Sequence, residues 1–200
     1  MISSILLAAG QSLRMRGKNK LIKEVDGIPL IKYAVKNILA STVDEIIIVL
    51  GHEKDLIKSV IGINKKIKFV YNEDFKKGIS SSIKIGLNHI SKKTDAFFIS
   101  LGDMPNVNQN IYNKLIKSMI KYNKKLKPKY KKEIIIPTFE TKNGNPVLFS
   151  KFMKHKVMLV KNDMGANEII KLNKEKILNV PFDNDGILLD FDTPDNFIPS

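Results

Sequence analysis

Short apolar or β-branched runs alternate with segments of helical periodicity along this chain. That alternation constrains the fold more than any other feature. Ile5–Ala9 stops at Gly10, Glu45–Gly51 is almost continuously β-branched, and Lys68–Tyr71 and Asp95–Leu101 follow the same pattern. Runs with no polar alternate read as strands buried on both faces, the condition of a parallel sheet. Between them, Leu30, Tyr33, Ala34, Ile38 and Leu39 share one helical face over about 29–41, after the turn Asp26-Gly27 and with Pro29 at a first helical position. Glu53–Ile61 reads as a shorter helix, Ile83, Leu87 and Ile90 line the face of another, and Ile111, Leu115 and Met119 line one over Asn108–Lys125. Further on, strands are expected at Glu133–Pro137 and Pro146–Phe149 around a turn at Asn143-Gly144-Asn145. Helices follow at Ser150–Lys156 and Met164–Leu172, and strands at Ile177–Val180 and Ile187–Leu189. The expected architecture is α/β: three layers, with a mostly parallel, Rossmann-like sheet between helices.

At 200 residues the chain suits one domain. It contains no cysteine, which excludes disulfides, thiolate metal sites and thiol nucleophiles. The longest apolar runs, such as Ile46–Leu50, are too short to cross a bilayer, and no basic residue precedes the first run, so a cytoplasmic protein with no membrane partner is expected. Net charge is +14, from 34 basic and 20 acidic residues. Lysine is spread along the whole chain, and the one dense cluster, Lys121 to Lys132, matches no nucleic-acid-binding motif. It reads as a solvated linker rather than a nucleic-acid surface, although the positive field would help gather anionic substrates.

The first loop concentrates the chemistry. Ser12, Arg14, Lys18 and Lys20 cluster just past the carboxyl end of the opening strand, the edge at which open α/β sheets bind ligands. Backbone N–H groups at a glycine turn, with guanidinium and ammonium groups beside them, suit a polyphosphate. The loop is not a Walker loop, because six residues separate Gly10 from Gly17 and Asn19 follows Lys18. Nor is it the dinucleotide fingerprint, since Ser12 stands where a second glycine belongs.

Asp103, in Leu101-Gly102-Asp103-Met104-Pro105, lies just beyond another strand's end, where a carboxylate can hold a hard cation facing phosphates or can simply cap a turn. Asp190, Asp192 and Asp195 flank Thr193-Pro194, either as a second carboxylate cluster or as an acidic turn before a terminal helix. Gly78-Ile79-Ser80-Ser81-Ser82 reads as a helix N-terminus with three hydroxyls. His52, His89 and His155 have no partners at metal-ligand spacing and read as surface or packing residues.

Taken whole, L-x-A-G-x-S-x-R-M followed by N-K-L resembles the signature loop of the nucleotidyltransferases that act on molybdopterin, the molybdenum cofactor cytidylyltransferases and the guanylyltransferases related to MobA. Ala8-Ala9-Gly10 resembles the cytidylyl branch, although Arg16 stands where glycine follows the R-M pair. Leu101–Pro105 resembles the family's L-x-D-M-P motif, and Leu189–Asp195 its D-x-D-T-P-E-D ending. Gly144-Asn145-Pro146 is similar to R-G-N/H-P with Asn143 in the arginine position. Asn162–Asn167 is similar to G-D-x-G-A-R without its first glycine and last arginine.

The resemblance implies a sheet of the nucleotide-diphospho-sugar transferase (GT-A-like) type, with residues 1–105 as the nucleotide-binding half and 106–200 as the acceptor half. It implies Arg14, Lys20 and Asp103 as catalytic residues, and Mg2+ held by Asp103 and Asp192, with Asp190 as the fallback ligand. It puts the nucleotide against Ala8, Ala9, Gly10, Ser12, Asn72, Gly78, Ser80 and Ser81, and the acceptor against Gly144, Asn145, Pro146 and Asp163. The implied reaction moves a nucleoside monophosphate from CTP to the terminal phosphate of molybdopterin or molybdenum cofactor, with a molybdenum hydroxylase as the natural recipient of the product. A guanylyltransferase, a sugar-phosphate nucleotidyltransferase and a non-catalytic basic nucleic-acid-binding protein are the competing readings.

Overall fold

The computed structural model describes residues 1–12, 19–159 and 166–192. In chain order, β1 (Ile2–Ala8) is followed by a small hairpin of β2 (Glu24–Val25) and β3 (Ile28–Pro29) and then by α1 (Leu30–Ala40). Next come β4 (Glu45–Leu50), α2 (Lys54–Ile61), β5 (Ile67–Tyr71), α3 (Ile79–His89), β6 (Ala96–Leu101) and α4 (Gln109–Asn123). The remainder comprises β7 (Ile134–Phe139), β8 (Lys142–Asn143), β9 (Val147–Ser150), α5 (Lys154–Met158), α6 (Asn167–Leu172) and β10 (Ile177–Pro181).

The main sheet runs β10-β7-β9-β6-β1-β4-β5, with β8 paired to β7. β1 pairs in parallel with β4 and β6, β4 with β5, and β10 with β7, while β9 runs antiparallel to both its neighbours. The sheet is therefore mostly parallel and carries helices on both faces, as the alternation predicts.

Period-two strand geometry explains why such unbroken apolar runs were needed. Along β1, Leu6 and Ala8 pack on the side of α1, α2 and α4, whereas Ile5 and Leu7 pack on the side of α3, α5 and α6. β4 divides the same way, Ile46 and Ile48 to the first face and Ile47 and Val49 to the second. Aromatic pairs fasten β6 on each side: Phe98 meets Tyr112 of α4 edge-on at 5.0 Å, and Phe97 stacks on Phe149 of β9 at 5.6 Å.

Three local expectations are corrected. The turn after β7 is at Glu140-Thr141, where Glu140 takes a positive φ, and Asn143 is already hydrogen-bonded back to β7. The expected strand at Ile187–Leu189 is instead a 3-10 turn over Asp185–Ile187, with the Asn184 side chain accepting from the Gly186 N–H. Pro29 ends a hairpin strand and sits at the N-cap of α1 rather than inside its first turn.

Candidate active site

The site is built from the carboxyl ends of β1 and β6. Their parallel register pairs Leu7 with Leu101, so the chain leaves both strands at the same level. The Gly102 N–H donates to the Leu7 carbonyl, and the His52 N–H donates to the Ala9 carbonyl. Position 102 is tight: a Cβ there would lie 2.8 Å from Ile31 Cδ1 and 3.1 Å from the Leu7 oxygen. The next residue is Asp103, which therefore emerges beside the Gly10 loop.

Lys20 arrives from the other end of that loop. Asn19 caps the 3-10 turn Lys20–Ile22, its Oδ1 accepting from the Leu21 N–H at 3.1 Å, and Leu21 is buried in the core. The Lys20 N–H donates to Ser12 Oγ at 3.1 Å and closes the neck of the loop. The Lys20 ammonium donates to both Asp103 Oδ2 and Asp192 Oδ1. Asp192 is brought in because the preceding Phe191 N–H donates to the Asp103 carbonyl, on the turn after β6, at 3.0 Å. Asp103, Asp190 and Asp192 each offer an oxygen within 4.8 Å of the others.

The electrostatics follow from this crowding. Burial pulls the Lys20 ammonium toward its neutral form, but Asp103 and then Asp192 outweigh that and hold it above the ordinary lysine value. Burial, followed by the like charges of Asp192 and Asp103, raises the Asp190 carboxyl. Asp103 Oδ1 is buried and has no hydrogen-bond partner among the described residues. An acceptor oxygen in that condition calls for a donor or a cation.

A cavity of about 300 Å³ opens against this cluster, with Ala8, Gly10, Ser12, Lys20, Gly78 and Asp103 in its wall. A second cleft of about 350 Å³ continues from it past Gln11, Lys76 and Asp192. The α3 side of the cavity is Gly78, Ile79 and Ser82, with Phe75 beside them. Asn72 is buried and staples that corner together: its Nδ2 donates to Ser81 Oγ at 2.8 Å and to Ser82 Oγ at 2.9 Å, and its Oδ1 accepts from the Asp74 N–H. Ser80 and Ser82 are both buried and Ser81 donates to the Gly78 carbonyl; of the three, Ser82 is in the wall of this cavity. Helical spacing from Gly78 selects positions 79 and 82 together and is the signal by which the sequence could have pointed to them. Phe75 has no such signal.

Gly144 and Asn145 are held by main-chain hydrogen bonds. The Gly144 N–H donates to Pro137, the Asn145 N–H donates to Ile187, and a Cβ on Gly144 would lie 2.6 Å from the Ile187 carbonyl oxygen. They seat the β7–β9 connection on the Asp185–Ile187 turn. Arg14, Lys18, Asp163 and Asp195 lie outside the described residues.

The mostly parallel sheet thus presents a cation, three carboxylates and a cavity at the ends of adjacent strands, the edge at which such sheets bind ligands. The chain belongs to the family of the MobA-like NTP transferase domain, whose model matches residues 4–177.

Among curated proteins it is similar to the bifunctional protein GlmU. The Thermosipho africanus protein is 29% identical over 175 residues, covering 87% of this chain and 35% of GlmU. The Staphylococcus epidermidis protein is 28% identical over 114 residues, covering 56% of this chain and 25% of GlmU. The chain thus spans about a quarter to a third of these relatives. Among solved structures, Rv0371c from Mycobacterium tuberculosis matches with a TM-score of 0.83 at 19% identity, over 98% of this chain and 95% of that one. Rv0371c has also been solved in complex with manganese. A Methanothermobacter nucleotidyl transferase matches with a TM-score of 0.80 at 18% identity, over 98% and 94% of the two chains.

Proposed function

We propose that this protein transfers a nucleoside monophosphate from CTP to the terminal phosphate of molybdopterin or molybdenum cofactor and releases pyrophosphate. The observation that carries the reading is the convergence of Lys20, Asp103 and Asp192 beside the Gly10 cavity. The nucleotide-binding half is residues 1–105 and the acceptor half residues 106–200.

The residues present fit a divalent cation. All the donors are carboxylate oxygens, the choice of a hard ion such as Mg2+. Asp103 Oδ1, which has no hydrogen-bond partner among the described residues, provides one such oxygen. Asp103 and Asp192 would hold the ion, with Asp190 beside them. When bound, it supplies charge neutralisation and a fixed orientation to the triphosphate.

The chain's own groups account for the rest. Backbone N–H groups around Gly10 and the ammonium of Lys20 take the phosphates, with Arg14 as a second cation. Gly78, Ile79, Ser82 and Phe75 form the wall against which the nucleoside lies, held in shape by Asn72. No general base is required: a phosphate monoester has a second pKa of about 6, so the attacking oxygen is already an anion at neutral pH. That oxygen bonds to the α-phosphorus, the bond from the α-phosphorus to the bridging oxygen breaks, and pyrophosphate leaves in line. Alignment and charge neutralisation supply the acceleration.

Gly144, Asn145, Pro146 and Asp163 belong to the acceptor side. The family's two arginines there are replaced by Asn143 and Asn167. A sugar phosphate is therefore the acceptor to compare with molybdopterin. The test is pyrophosphate release with CTP, GTP, UTP and ATP, each with and without molybdopterin. Turnover with CTP that requires molybdopterin is the expected result. Turnover with GTP instead would identify a guanylyltransferase. Product from a sugar 1-phosphate and none from molybdopterin would overturn the acceptor assignment.

A further inference from the structure

We propose that Lys20 is the resident counter-ion of the carboxylate cluster in the nucleotide-free protein, closing Asp103 and Asp192 to a bare divalent cation until a triphosphate draws the ammonium away. The inference rests on the assignment of Asp103 and Asp192 as cation ligands made above.

Its basis is that the same oxygens have two claimants. The ammonium donates to Asp103 Oδ2 and to Asp192 Oδ1, and so spans two of the three clustered carboxylates. A divalent ion sits about 2.0–2.6 Å from its oxygen ligands. An ammonium hydrogen-bonded to the same carboxylates would then face it as a like charge in a site where the Lys20 and Asp103 side chains are each only 15% exposed. Like charges brought together in a partly desolvated site are costly.

The main chain of Lys20 is not free to relieve this. Asn19 caps its turn, Leu21 anchors it in the core, and Ser12 accepts its N–H. What can move is the four-carbon stem, which carries a compact point charge. Lys20 also belongs to the walls of both the Gly10 cavity and the cleft that reaches Asp192. A triphosphate in that space offers the ammonium new anionic partners without moving the backbone. A bare cation offers none. Lys20 therefore couples the two ligands: occupancy by one lowers the cost of admitting the other, and the coupling is reciprocal.

The test uses Mn2+ alone, titrated into the nucleotide-free full chain and followed by the electron paramagnetic resonance signal of free Mn2+. Lys20→Met should bind Mn2+ at least about ten-fold more tightly than wild type, because the competing like charge is gone. Lys20→Arg, whose guanidinium can pair both carboxylates, should bind more weakly than wild type. The Lys20→Arg arm also keeps the idea testable should Lys20→Met not fold. Adding Asp103→Asn to Lys20→Met should remove the gain. Unchanged or weaker Mn2+ affinity in Lys20→Met, or tighter binding in Lys20→Arg, overturns the counter-ion role while the cation-ligand assignment stands. If Asp103→Asn leaves the affinity of Lys20→Met untouched, the ligand assignment itself falls and takes this inference with it.

Discussion

Asp103 holds the most demanding position in the site, since Oδ2 is engaged by Lys20 and Oδ1 is buried without a partner among the described residues. Asp103→Asn keeps the volume and removes the charge. It should lower pyrophosphate release by about a thousand-fold or more, the scale of losing a group that organises phosphoryl charge. Circular dichroism and the melting temperature of the metal-free protein should stay close to wild type, so that loss of turnover is separable from loss of fold. Asn72 makes a contrasting case. It is 1% exposed and holds three hydrogen bonds in one corner of the cavity. Asn72→Ala strands those partners and should cost about 1–3 kcal/mol in urea unfolding, and it should raise KM for the triphosphate more than it lowers kcat. The two residues differ in legibility. Asp103 falls in a motif that resembles the family's L-x-D-M-P, whereas Asn72 falls in none and an asparagine before a turn has many roles.

Among the elements, α3 packs tightly on β1 at one glycine. A Cβ on Gly86 would lie 2.3 Å from Ile5 Cγ2, so the helix reaches the sheet only because that position lacks a side chain. Gly86→Ala must push α3 outward or force Ile5 from its rotamer, an overpacking cost of about 1–3 kcal/mol. Urea denaturation should register that loss, and because Ser82 lies one turn earlier on the same helix, KM for the triphosphate should rise with it. The central strands and long helices were readable because each is long enough for its period to show. Short pieces were not. The 3-10 turn at Asp185–Ile187 and the hairpin of β2 and β3 have too few residues to display any period, and their shape comes from local caps and contacts.

Across the whole molecule, charge is the property most open to test. At a net +14, KM for the triphosphate should rise as salt increases from about 50 to 300 mM, because screening removes the long-range attraction. Away from the active site, at the start of β6, the N-terminal ammonium and Lys151 both bond to Asp95 and hold its carboxyl below the ordinary aspartate value. For a depressed carboxyl, the stabilisation is present above the unfolded-state pKa, near 3.9, and is lost as pH falls through the lower folded value. Thermal unfolding of wild type and Asp95→Asn should therefore differ slightly at pH 5 and converge toward pH 2.5. A difference that grows with acid would contradict the pairing.

By itself the sequence determined the layered, mostly parallel architecture, because a strand buried on both faces cannot alternate and a helix lying on a sheet must. The motifs that carry the family resemblance also singled out Lys20, Asp103 and Asp192. Only the tertiary structure decided that those three meet, since they are separated by most of the chain and depend on strand register, the fit at Gly102 and the Phe191–Asp103 bond. It also decided that Lys20 rests on the carboxylates, and that Ser82 rather than Ser80 or Ser81 is in the cavity wall. Side-chain partners depend on what folding brings near, and no local pattern records that.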